Sequence, residues 1–180
     1  MLLLSEADRN AGGDQAHLVD RALTTELRER PSERYSAAVY PVAAIKAAYS
    51  NSGLTGQDFD PLTYPDHMYP PARVAAFGRA LGTDYVAYMV WPKFSMPLLA
   101  DGFSMSADTN IRVAINVVST KSGQAIGTKI VTIKSTSAAP DKPFLKAMRA
   151  AGTDKKALPG AIARYLAAKV FPELQNLPIK

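Results

Sequence analysis

Two runs of alternating residues joined by a glycine-bearing turn constrain this chain more than any other feature. In the first, Ile111, Val113, Ile115 and Val117 are apolar, with Arg112, Ala114 and Asn116 between them. A period of two is the signature of a strand, because successive side chains point to opposite faces. The link Ser119 to Gln124 contains Gly123, suited to the positive φ that a reversing backbone needs. The second run places Ile126, Thr128, Ile130 and Thr132 on one face and Val131 and Ile133 on the other. Arms of about ten residues make a long antiparallel hairpin. An isolated hairpin is marginal in water, so the rest of the chain must supply more strands and the helices that cover them.

The flanking sequence does so. Met1 to Ser5 is a candidate strand, and Asp14 a candidate cap for a helix to about Glu29. In that helix Val19, Leu23 and Leu27 recur at four-residue spacing, widened by Leu18 and Ala22, and Pro31 closes it. Tyr35 to Tyr40 reads as a short strand. Pro41 then suits the first turn of a helix from Val42 to about Ser50, with Ile45 and Tyr49 on one side and Asn51-Ser52-Gly53 at its end. Pro71 opens a third helix, with Val74, Phe77 and Leu81 inward and Gly82 as its cap. Tyr85 to Trp91 is a compact apolar run, as a central strand has, and Pro92 and Pro97 argue against its continuing. After the hairpin, Asp141 to Ala151 and Pro159 to Phe171 are helical, the latter burying Ile162, Leu166 and Val170. The expectation is one α/β (α+β) domain over residues 1–180, a mixed sheet of four to five strands flanked by four to five helices.

Composition narrows the function classes. The 180 residues are 47% hydrophobic and 21% charged, ordinary for a globular chain, and apolar runs fall far short of the roughly 20 residues of a membrane-spanning helix. The net charge of +5 is scattered: Arg21, Arg28 and Arg30, then Arg73 and Arg79, then Lys155 and Lys156. Aromatics do not interleave with these as base-stacking platforms, so no nucleic-acid partner is expected. With no cysteine there is no disulfide, thiolate metal site or cysteine nucleophile. Met1-Leu2-Leu3-Leu4 is too short for a secretory apolar region and no lipid-acceptor cysteine follows it. Such a start fits a cytoplasmic chain, or one whose native leader is absent.

Candidates for chemistry are few. His17 falls on the polar side of its helix. His67 sits in Tyr64-Pro65-Asp66-His67-Met68-Tyr69-Pro70, near Asp58 and Asp60, within a stretch, Thr55 to Pro71, that carries four prolines and three aspartates. Asp58, Asp60, Asp66 and His67 offer metal-binding atom types but no recognised ligand spacing, so the stretch reads first as an ordered loop, with ligand contact as its other use. No G-x-S-x-G elbow occurs, and Gly78 and Gly82 lie towards a helix C-terminus, whereas phosphate-cradling glycines precede an N-terminus. No enzyme activity, cofactor or metal is expected. The most distinctive segment is Trp91 to Met105, where Trp91, Lys93, Phe94, Met96, Leu98, Leu99, Phe103 and Met105 make either an adaptable partner-binding surface or a lid on the core.

The order of these elements resembles the CsgG-like and TolB-N-terminal-like domains of the bacterial envelope, which include small lipoproteins. Three stretches within roughly residues 35 to 135 carry the likeness. The first is Val39-Tyr40-Pro41-Val42 with Asn51-Ser52-Gly53-Leu54-Thr55; the second is Phe77-Gly78-Arg79-Ala80-Leu81-Gly82-Thr83-Asp84-Tyr85-Val86. The third runs from Asn110-Ile111-Arg112-Val113 through Val117, Lys121-Ser122-Gly123 and Ile126. The resemblance implies a non-catalytic, periplasmic, outer-membrane-associated module, with other envelope proteins as partners and a role in assembly or secretion. Pore-forming members insert membrane-spanning hairpins at two places. Here Lys93 to Thr109 spans about 17 residues and Ser135 to Lys142 about eight; a spanning strand takes roughly 9–11, so no pore by this chain alone is expected. Membrane association would come through a lipid anchor that this chain lacks.

Self-association is expected as well, because an open sheet has edges that must be covered or paired. Its candidate surfaces are the hairpin edge and the Lys93 to Met105 segment. The alternative is a cytoplasmic regulatory or small-ligand-binding α/β domain, in which the Asp58 to Pro71 loop closes over a small molecule.

Overall fold

The alternating run at 111–117 becomes the middle of a sheet. The computed structural model describes residues 1–5, 9–32, 40, 42–53, 69–96, 98–99, 102–103, 108–152, 157–177 and 179; for residues 2–5, 9–17, 42, 98–99 and 102–103 it describes the backbone alone. In chain order these form β1 (Leu2–Ser5), α1 (Arg9–Glu29), α2 (Val42–Ser52), α3 (Pro71–Ala80), β2 (Tyr85–Ser95), β3 (Leu98–Leu99) and β4 (Gly102–Phe103), then β5 (Thr109–Ser119), β6 (Ala125–Ser135), α4 (Lys142–Ala151) and α5 (Ala157–Gln175). β2, β5 and β6 make an antiparallel unit, and β1 lies parallel to β2, giving the order β1-β2-β5-β6. The protein is thus α+β, with five helices among the described residues. The strand expected at Tyr35 to Tyr40 lies outside them, apart from Tyr40.

Each face of β2 and β5 supports a core. Ala87, Met89 and Trp91 of β2 and Ile111, Val113, Ile115 and Val117 of β5 point to one side, against Val19, Leu23 and Leu27 of α1, Phe144 and Met148 of α4, and α5. Val86, Tyr88, Val90 and Val118 point to the other, against Ala48 of α2 and Val74, Ala75 and Phe77 of α3. Burial of such side chains, about 1.5–3 kcal/mol each, is what assembles the layers. α5 lies across α1 with Ile162, Leu166 and Val170 inward, as their spacing implied.

The sequence reading needs correction in five places. α1 begins at Arg9, so Asp14 is internal and does not cap it. Leu18 is 48% exposed, and the stripe is widened on its other flank by Asp20 and Thr24, both buried. α5 runs through Pro172 to Gln175; the carbonyl that loses its donor there is that of Ala168, an exposed residue near the helix end.

The other two corrections are bulges. β2 does not stop at Trp91. Val90 pairs with Ala114 and Lys93 with Arg112, so Trp91 and Pro92 together oppose Val113 alone. A bulge needs no ladder donor at its extra residue, which is why proline is tolerated there. It also reverses the phase of β2: Phe94 and Met96 now join Trp91 on the α1 side. On β6, Ile126 is the extra residue between the pairs Val117–Gly127 and Val118–Ala125. Ile126 therefore packs on the same core as Val131 and Ile133, while Ile130 is left 54% exposed on the opposite face.

Candidate interaction surface

The second and third of the stretches that carry the family resemblance meet in space at the Thr120 turn. Gly78 sits so close to the sheet that a Cβ there would collide with the methyls of Thr120 and Val86. Next to it, Arg79 Nη1 donates to the Thr120 carbonyl at 2.6 Å. Thr120 Oγ1 donates to the carbonyls of Thr83 (2.7 Å) and Asp84 (3.0 Å), and the Thr120 amide also reaches Asp84 O at 3.0 Å. The α3-to-β2 turn is thereby tied to the β5–β6 turn, with Gly82 and Gly123 at φ of +66° and +70° where those turns reverse.

The aromatic and methionine candidates separate. Trp91 is fully buried, its indole Nε1 donating to Asp20 Oδ1 at 2.6 Å, and Asp20 is only 1% exposed. It is a core residue, so the expected contact surface loses it. Phe94 is half-buried, edge-on to Trp91 at 5.7 Å, and Met96 is half-buried on the same core. Among these only Lys93 is exposed. Leu98 and Leu99 form β3 and pair with Phe103 and Gly102 of β4, a small hairpin between the two long strands. Met105 lies outside the described residues, as do Asp58, Asp60, Asp66 and His67. Among the described residues no group of three His, Cys, Asp or Glu side chains is placed to hold a metal ion.

What is exposed on the face that α2 and α3 cover elsewhere is its β6 row, together with Arg112 of β5, whereas Ala114 and Asn116 of β5 are buried there. β6 ends the sheet, and among the described residues its outer edge pairs with no strand. Thr128, Ile130, Thr132 and Lys134 are exposed along it, and on the other face Lys129 meets Glu173 of α5 at 3.7 Å. On this face Asn116 is fully buried: its Oδ1 accepts from Thr128 Oγ1 at 2.7 Å and its Nδ2 has no partner among the described residues. The sequence reading missed Asp20, Arg112 and Lys134. Arg112 and Lys134 were legible as polar positions of the alternation, but the Lys93–Arg112 pairing depends on a bulge that no spacing reveals.

No helix among the described residues is long and apolar enough to cross a membrane. No family model matches the chain, and no curated protein matches it by sequence. Solved structures do match. A hypothetical protein, CT253, from Chlamydia trachomatis aligns over 98% of this chain and 95% of its own, at 9% identity and a TM-score of 0.53. Lipoprotein GNA1162 from Neisseria meningitidis aligns over 97% and 96%, at 14% identity and a TM-score of 0.48. PelC from Paraburkholderia phytofirmans, solved as a dodecamer, aligns over 97% and 84%, at 11% identity and a TM-score of 0.47. The chain therefore shares its fold, end to end, with the chlamydial protein.

Proposed function

We propose that this chain is a non-catalytic interaction module of the bacterial cell envelope, acting in assembly or secretion and self-associating through the outer edge of β6. The observation that carries the reading is the end of the sheet: an 11-residue strand, unpaired on its outer side among the described residues, with Ile130 54% exposed beside it. An edge of that length is a template for another strand unless it is paired or blocked. The CsgG-like and TolB-N-terminal-like resemblance over residues 35 to 135 supports the envelope setting, and shared fold is consistent with it without adding to function.

Light scattering with size-exclusion chromatography, over a range of concentrations, tests the proposal. A discrete dimer or ring is expected, and Ile130→Lys, which sets a charge on the edge, should dissociate it. A monomer at every concentration, or an oligomer indifferent to Ile130→Lys, refutes association through β6.

A further inference from the structure

We infer that the corner of the open sheet face built by Lys93, Arg112 and Lys134 is the docking site for an acidic segment of a partner protein. This rests on the interaction-module reading and names the chemistry of its partner. Six positions form the corner in two cross-strand rows: Lys93, Arg112 and Thr132, then Ser95, Asn110 and Lys134. Asn110 is half-buried and the other five are exposed. Three of the six are cations and none is an acid. Among the described residues, none of the three cations forms a side-chain ion pair.

Two features set this corner apart from a merely solvated edge. Like charges directly opposite on antiparallel strands repel, and Lys93 stands opposite Arg112. In addition, unbroken alternation from Ala87, Met89 and Trp91 would turn Lys93 into the core. The bulge at Trp91 and Pro92 turns it to the open face, beside Arg112.

The spacing selects the ligand. Neighbouring strands are about 4.8 Å apart, so the backbone positions that carry the cations spread over roughly 10 Å from β2 to β6. Two or three carboxylates on one segment match that spread, and Ser95, Asn110 and Thr132 offer hydrogen bonds between them. A flat lipid surface is a poorer fit. α2 and α3 cover Val86, Tyr88, Val90 and Val118 on this same face. A helix layer is about 10 Å thick, so among the described residues the corner stands lower than the helices beside it, which suits a polypeptide better than a plane.

The test compares Lys93→Gln/Arg112→Gln/Lys134→Gln with a control of equal net charge, Lys142→Gln/Lys146→Gln/Arg149→Gln, whose sites are exposed on α4. The probes are a fluorescein-labelled glutamate–serine peptide, inorganic phosphate, and phosphatidylglycerol–phosphatidylcholine vesicles. Expected is peptide binding that weakens with salt, falls about tenfold in the corner variant and is unchanged in the control. Equal loss in both variants, no peptide binding by the wild type, or binding of vesicles or phosphate alone overturns the inference. Light scattering on the same samples reports the oligomer separately, so failure at the corner and failure at the β6 edge are told apart.

Discussion

At the scale of single residues, two polar contacts, one buried and one half-buried, join helices to their surroundings, and each makes a measurable demand. Trp91 and Asp20 tie β2 to α1 through one short hydrogen bond in a region closed to water. Trp91→Phe leaves an aromatic in place but strips the carboxylate of that donor. Together with the lost volume it should cost about 2–4 kcal/mol in urea unfolding, because a buried carboxylate that loses a hydrogen bond is less well compensated for its desolvation. Asp20→Asn, which keeps an accepting oxygen and the volume, should cost less; an equal loss would mean that the carboxylate charge, not an accepting oxygen alone, is what the site requires. The second contact is Asp141, which caps α4 by accepting from the Phe144 amide at 3.0 Å and accepts from the Tyr165 hydroxyl with both oxygens at 2.9 Å. Burial first, and then the hydrogen bond and charge of Asp141, raise the Tyr165 phenol above the ordinary tyrosine range. A raised phenol holds its proton in the folded state after the unfolded chain has released its own. Its stabilisation is therefore complete below the unfolded value near 10 and is lost as pH climbs above it. Tyr88, raised by burial, contributes in the same sense. Tyr165→Phe should lower stability by about 1 kcal/mol at neutral pH and make the decline above pH ~10 shallower. An unchanged alkaline slope would remove Tyr165 from that account.

At the scale of elements, α3 is held at a distance from the sheet that only glycine permits. Gly78→Ala sets a methyl against Thr120 and Val86, and Thr120 cannot yield without giving up its bonds to Thr83 and Asp84. Overpacking of this kind costs about 1–3 kcal/mol, read as a lower denaturation midpoint. A neutral result would mean that α3 slides freely. The same elements show what the sequence made legible. The β5 alternation, the stripes of α1 and α5, the Gly82 and Gly123 reversals and the helix opening after Asp141 all follow from local periodicity and backbone sterics, and each is where it was expected. Local rules failed where tertiary contacts decide. Pro92 reads as a strand breaker, yet a bulge absorbs it. Ile126 and Ile130 share a phase in sequence, and a bulge sends them to opposite faces. Trp91 has the composition of a contact residue, and only the fold shows the carboxylate of Asp20 waiting for it. Of the candidate surface, the hairpin edge was legible, whereas the Lys93–Arg112 row exists only because the backbone of β2 shifts by one residue.

At the scale of the molecule, β2 and β5 belong to two cores at once, one on each face, and this dictates how the protein unfolds. The α1, α4 and α5 core and the α2 and α3 core use alternate residues of the same strands, so the loss of one weakens the sheet that the other packs on. Trp91, the only tryptophan, reports the first core, and Phe77, fully buried and tilted against Tyr49 at 4.8 Å, belongs to the second. Phe77→Ala should destabilise the chain by about 3–5 kcal/mol. If the two cores are one cooperative unit, Trp91 fluorescence will register that loss in full although the substitution lies across the sheet from it. The fluorescence and far-ultraviolet circular dichroism transitions in urea should coincide, and both should move together in the variant. A Trp91 transition that stayed in place while the dichroism split into two steps would show that α2 and α3 detach alone. In that case the face they cover would be uncovered more readily than the edge at β6, and a partner seeking the sheet would find it there first.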